Sequence, residues 1–152
     1  MECPVCEEPL IVVEREKIEL DFCPRCHGLW FDAGELALLA EMLHRTLTPA
    51  RGDALEKAVT DEKPYPCPRC GRRMEKFNLG SAPRVRVDRC RAGHGLWFDH
   101  GELGSLMSQM PVKPGSRPEA LLRFMGETFV PGAAAPERNS ASNVAKEGEE
   151  ER

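Results

Sequence analysis

A chain of 152 residues with 13 Gly, 13 Pro and 7 Cys has only 6% aromatic side chains, too few large apolar groups for one well-filled core of that length. No apolar run is long enough to cross a membrane, and the acidic start MECPVCEEPL lacks the basic and apolar stretches of a secretory signal, so a cytoplasmic location is expected. The net charge of −4 argues against nonspecific nucleic-acid binding by the whole chain, and paired thiols in a reducing compartment read as metal ligands before disulfides.

The chain opens on a Cys3-Pro4-Val5-Cys6 turn. Alternating residues at 10–14 and 18–22, with Arg15-Glu16-Lys17 between them, predict a hairpin returning to Cys23 and Cys26. A helix from 34 to about 47 follows, with Asp32 and Glu35 as its N-cap signature and Leu36, Leu39, Ala40 and Leu43 on one face. Residues 48–63 read as a polar linker, with room for a helical turn at 55–58.

The order then repeats over 64–110. Cys67-Pro68-Arg69-Cys70 leads to a turn at 80–83, a return strand at 84–89 and Cys90. Asp99 and Glu102 open a second helix, 101 to about 110, weakened by Gly104. Beyond it, 111–131 can form a short amphipathic helix from Ser116, with Glu119 in its first turn and Leu121, Leu122, Met125 and Phe129 as its apolar side. The Ala/Glu/Ser-rich stretch 132–152 is expected to be disordered.

The internal repeat is the dominant feature. HGLWFDAGEL at 27–36 returns as HGLWFDHGEL at 94–103, nine matches in ten. Charge divides unevenly between the copies: residues 1–47 carry 4 basic and 10 acidic side chains, residues 64–110 carry 8 basic and 4 acidic.

Structural zinc takes four tetrahedral thiolate or imidazole ligands, and a CxxC turn supplies two of them. Cys3, Cys6, Cys23 and Cys26 form one such set, the hairpin joining its two halves. In the second copy Cys67, Cys70 and Cys90 are present, but Gly93 stands where Cys26 would align. His94, flanked by Gly93 and Gly95, is then the expected fourth ligand, with His100 as the next candidate. Two zinc ions are expected in all. His27 and His44 read as structural or surface residues. Each copy spans fewer than 50 residues, where a core alone is marginal, so each is expected to be unfolded without metal. Trp30 and Trp97 are expected to cover the hairpins while Asp32 and Asp99 start the helices; an aromatic recognition surface is the alternative.

The pattern CPxC, hairpin, CPxC-x-G-x-W-F-D-x-G-E-L resembles the bacterial zinc-ribbon family named for its similarity to the transcription factor IIB zinc finger. Resemblance implies a small metal-stabilised α+β fold of tandem zinc ribbons, each a β-hairpin with two zinc knuckles followed by a short helix. Cys3, Cys6, Cys23 and Cys26 match four ligand positions and Cys67, Cys70 and Cys90 match three more, with the last left to His94.

The expected function is that of a noncatalytic adaptor contacting protein or nucleic acid in transcription or its regulation. Arg69, Arg72, Arg73, Arg84, Arg86, Arg89 and Arg91 are the candidate nucleic-acid contacts; a solvated polar face, or pairing with the acidic first ribbon, is the alternative. An enzyme is not expected, because both ligand sets are closed and no nucleophile–base pair or phosphate loop appears. Thiol-redox or rubredoxin-like iron chemistry is the alternative class. No membrane partner is expected, and the sequence does not fix the oligomeric state.

Overall fold

The computed structural model describes residues 1–42, 56–80, 84–109 and 115. In the first copy β1 (Ile11–Arg15) and β2 (Ile18–Phe22) form the expected hairpin. Its two-residue turn places Glu16 and Lys17 at φ 53° and 67°, the backbone twist that tight antiparallel hairpins require. Next come β3 (Leu29–Asp32) and α1 (Ala33–Met42). A two-residue strand, β4 (Glu56–Lys57), precedes the second copy, which consists of β5 (Glu75–Leu79), β6 (Val85–Arg89), β7 (Gly95–Phe98) and α2 (Glu102–Ser108).

All seven strands lie in one antiparallel sheet, ordered β1-β2-β3-β7-β6-β5-β4. The two copies therefore join edge to edge through β3 and β7, strands that no hairpin pattern announced. Their pairing sets Trp30 opposite Trp97, Leu29 opposite Phe98 and Phe31 opposite Leu96. Trp30 and Trp97 are also equivalent residues of the repeat, so a pseudo-twofold axis passes between them. The joint is isologous, like the interface of a symmetric dimer.

Alternation along each strand gives the sheet two apolar faces. Leu29, Phe31, Leu96 and Phe98 face one way, with Ile18, Leu20, Val85, Val87 and the α2 residues Leu103, Leu106 and Met107. Phe31 and Phe98 meet edge to face there, ring centroids 5.4 Å apart. Trp30 and Trp97 face the other way, among Cys3, Cys23, Cys67 and Cys90.

Three local expectations are revised. Of the segment expected to turn helically at 55–58, the described residues 56–58 are extended instead, because β4 pairs with β5 and the Ala58 N–H donates to the Lys76 carbonyl at 2.9 Å. Asp32 and Asp99 do not cap helices with their carboxylates. Each accepts the indole N–H of the tryptophan two residues before it, at 2.8 and 2.9 Å, because a fully buried indole must place its one donor. Of the capping boxes only the reverse half forms, Glu102 accepting the Asp99 N–H at 2.7 Å; Glu35 instead accepts the Glu19 N–H at 3.1 Å. Trp30 and Trp97 are both 0% exposed, which removes the aromatic recognition surface.

The expected continuation of the first helix through Leu43 and His44, the turn at 81–83, the helix from Ser116 and the stretch 132–152 lie outside the described residues. So do the side chains of Leu36, Leu39 and Ala40.

Candidate metal centres

Four knuckle turns position the ligands, and all four share one backbone frame. The N–H of Cys3, Cys23, Cys67 and Cys90 each donates to the carbonyl five residues on: Glu8, Gly28, Arg72 and Gly95, at 2.8–3.0 Å. In the first three turns the residue four after the leading cysteine is left-handed (Glu7, His27 and Gly71, φ 61–69°), and its N–H returns to the leading carbonyl. The fourth turn differs. Its left-handed residue is Gly93, one position earlier, with φ 76° and its N–H 3.0 Å from the Cys90 carbonyl. Glycine adopts that conformation without steric cost. The early turn leaves His94, the counterpart of left-handed His27, free to serve as a ligand.

The ligand atoms then converge. Cys3, Cys6, Cys23 and Cys26 form one group and Cys67, Cys70, Cys90 and His94 the other, all ligand atoms within 4.8 Å of one another in each. Cys3 Sγ lies 3.4 Å from Cys26 Sγ, and Cys6 Sγ lies 3.5 Å from Cys23 Sγ. In the second group Cys70 and Cys90 sulfurs are 3.8 Å apart, and His94 Nδ1 stands 3.5 Å from Cys90 Sγ and 3.9 Å from Cys67 Sγ. A tetrahedral ion with bonds of about 2.3 Å to sulfur and 2.0–2.1 Å to nitrogen requires edges of about 3.6–3.8 Å. A disulfide requires about 2.05 Å, and all seven cysteines are free. The donor sets fit a four-coordinate ion.

Electrostatics favour the same reading. Burial pushes the Cys3 thiol up to about 11 and Cys67 up to about 12. Cys23 and Cys90 occupy equivalent positions and go the other way. Burial opposes their ionisation, but amide N–H donors from Arg25 and Cys26, and from Ala92 and His94, outweigh it with help from neighbouring thiols. Cys23 falls to about 7. Cys23 and Cys90 are thus the readily ionised thiols of the two centres, while Cys3 and Cys67 need a cation close by.

The tryptophans tie the centres together. A Cβ on Gly28 would overlap the Trp97 indole, and one on Gly95 would overlap the Phe31 carbonyl and lie 2.8 Å from Trp30 Cζ2. Each copy's glycine, directly behind a knuckle, is the seat for the other copy's tryptophan. The sequence signal for this lay in the repeated Gly-Leu-Trp-Phe-Asp, whose short continuous apolar run is that of a strand buried on both faces.

The other histidines stand elsewhere. His27 and His100 are exposed and meet edge to face at 5.3 Å, outside both ligand groups. Most of the candidate arginines have partners within the chain. Arg69 binds Asp32 through two N–H groups, Nε at 2.9 Å, and this is an ion pair between the copies. Arg84 pairs with Glu56, Arg86 with Glu62 and Arg91 with Glu75, while Arg89 lies over the Phe77 ring at 5.3 Å. Arg72 and Arg73 are exposed, with no ion-pair partner among the described residues.

No curated protein and no solved structure shows significant similarity to the chain. A family match does exist, over residues 2–42 and 66–109, which are the two knuckle-and-sheet units just described. The chain belongs to the transcription factor zinc-finger family, in two tandem copies.

Proposed function

We propose that the protein is a noncatalytic adaptor that holds two zinc ions and contacts another macromolecule in transcription or its regulation, within the cytoplasm. The observation that carries this reading is the pair of closed four-donor groups, each complete from the chain's own residues. Zinc bound by four protein ligands keeps no open position for a substrate, so its contribution is to the fold. Among the described residues no helix is long and apolar enough to cross a membrane.

A protein partner is favoured over nucleic acid. Of the candidate arginines only Arg72, Arg73 and Arg89 have no carboxylate partner among the described residues; three would displace few counterions, and nonspecific nucleic-acid affinity grows with the number of phosphates neutralised. Metal analysis of the purified full chain tests the first part: two zinc ions per chain and no reactive thiols are expected. A coloured, iron-containing protein, or reactive thiols with the metal retained, would overturn it in favour of electron transfer or thiol redox chemistry. Gel shifts at low salt test the second part, and tight binding to DNA or RNA would reverse the preference.

A further inference from the structure

The outer edges of the two hairpins have equivalent backbones but different neighbours. In the second ribbon the outer edge is β5, and the chain covers it with β4. Glu56 pairs with Asn78, Lys57 with Phe77, and the Ala58 N–H donates to the Lys76 carbonyl. The cover is acidic where the ribbon is basic. Glu56 meets Arg84, and Glu62 meets Arg86 and Lys76, the latter at 3.4 Å.

The equivalent edge of the first ribbon is β1, the last strand of the sheet on that side. Val12 occupies the place of Lys76 and Glu14 that of Asn78, and their pairings with Asp21 and Glu19 repeat those of Lys76 with Asp88 and Asn78 with Arg86. Since the Lys76 carbonyl points outward to β4, the Val12 carbonyl and N–H point outward too; antiparallel residues turn both groups to the same side. No strand pairs with that side among the described residues. The edge is also apolar, with Val12 66% and Ile11 49% exposed. At its centre the charge is the reverse of the second ribbon's: Glu19 stands where Arg86 does and faces Glu14 directly across the strands, with Arg15 following at the end of β1. Long exposed edges are normally blunted by lysine, proline or a cover. The Leu10 N–H just before β1 is taken by the Met1 carbonyl at 2.9 Å, and the open stretch beyond it, Ile11-Val12-Val13, contains neither lysine nor proline.

We propose that β1 is a docking edge for an extended basic segment of a partner protein, added antiparallel as an eighth strand in the way β4 is added to β5. This rests on the adaptor reading and names the partner's chemistry. Backbone hydrogen bonds from Val12 and Glu14 supply the pairing, and cationic side chains meet Glu14 and Glu19 as Glu62 meets Arg86. A second copy of the chain suits the edge poorly, because two such edges would bring their glutamates together.

The test uses the zinc-loaded full chain and a seven-residue peptide, KKAVTKK, which is the chain's own covering segment 56–62 with each acid replaced by lysine. Amide shifts confined to residues 10–15 and their β2 partners are expected on titration at low salt. Glu14→Lys combined with Glu19→Lys should weaken binding at least about tenfold. Val12→Pro removes the outward N–H and leaves the inner ladder intact, and it should weaken binding similarly. Because Val12→Pro could disturb the hairpin, the charge variants, whose zinc content and dispersion should match wild type, decide the matter. Absence of shifts, shifts elsewhere, equal binding of the acidic peptide EKAVTDE, or occlusion of the edge by a second copy or by residues 111–152 would overturn the proposal. Loss of zinc from the wild-type protein would instead overturn the adaptor reading, so the two failures are distinct.

Discussion

The two ribbons have the same backbone and opposite surroundings. Each knuckle closes over the same five-residue span, yet the first centre gathers four thiols and the second three thiols and an imidazole. One left-handed residue moved from position 27 to the equivalent of position 26 is enough to exchange cysteine for histidine. Charges are exchanged as freely: Lys76 and Asp88 form a buried pair at 2.9 Å in the second ribbon, where the first has Val12 and Asp21. What does not vary is the Gly-Leu-Trp-Phe-Asp strand, because each copy's glycine and tryptophan fit the other copy's. The joint constrains the sequence more tightly than the metal ligands do.

The largest effect should come from the centres themselves. Structural zinc contributes about 10–16 kcal/mol in small zinc peptides. His94→Ala should lower zinc from two ions to about one by mass spectrometry, and two retained would show that His94 is not a ligand. The joint makes a further expectation possible. Gly95, next to His94, seats Trp30, so the variant's fluorescence should shift to the red for both tryptophans and not for Trp97 alone.

Next is the buried pair. Lys76 is 5% and Asp88 1% exposed; burial opposes the lysine's charge, but the adjacent carboxylate holds its pKa above the usual value. Lys76→Ala would leave a carboxylate buried without its cation, a loss of about 3–5 kcal/mol. Val12→Ala, at the equivalent exposed position, should cost well under half of that, since about two-thirds of Val12 already faces water. Denaturant midpoints of the two variants measure the contrast.

Gly28→Ala and Gly95→Ala test the joint directly. Overpacking of this kind costs about 1–3 kcal/mol. The Gly95 variant should be the worse, because its new methyl meets the fixed Phe31 carbonyl while that of Gly28 meets a ring able to shift. Equal melting temperatures for the two would argue against the rigid seat.

Much of this architecture was legible in sequence. Paired CxxC turns, the hairpin alternation over 11–22 and the repeat itself led to the ribbons and to the eight side chains that converge in two groups, His94 included, because thiolate chemistry imposes fixed spacings. The union of the sheets was not. Pairing of β3 with β7 is a contact between residues 63–69 apart, and a four-residue strand leading into a helix resembles a capping segment. Asp32 and Asp99 were misread for that reason: an Asp three residues before a Glu is a cap signal, and only the fold shows an indole N–H nearer. Nor could composition tell which arginines were already paired, since Glu56 and Glu62 lie in what reads as a linker.

Smaller effects separate the helix starts. Burial pushes the Glu102 carboxyl up to about 7, from 4.5 for an ordinary glutamate. Its contribution to stability is therefore complete below about 4.5 and lost as pH rises through 7. Glu102→Gln keeps an acceptor for the Asp99 N–H and carries no charge. At pH 8 the variant should be the more stable by about 1–2 kcal/mol, with the gap narrowing toward pH 6, both proteins keeping their zinc. A gap that does not depend on pH would assign the effect to packing.

The smallest effect would make the ribbons more alike. Arg69, in the second ribbon's first knuckle, reaches across the pseudo-twofold axis to Asp32. The same operation carries position 69 to position 5 and position 32 to position 99, so Val5, 40% exposed, stands where an arginine could reach Asp99. Val5→Arg should create a second inter-ribbon pair. Arg69 is itself about half exposed, and exposed pairs contribute about 0–1 kcal/mol. The gain should fall in that range, disappear at high salt, and appear in a double-mutant cycle with Asp99→Asn. The internal control is Arg69→Ala, which should lose a similar amount. If Arg69→Ala is costly while Val5→Arg gains nothing, the Asp32 pair owes its strength to its bidentate geometry and not to the symmetry of the joint.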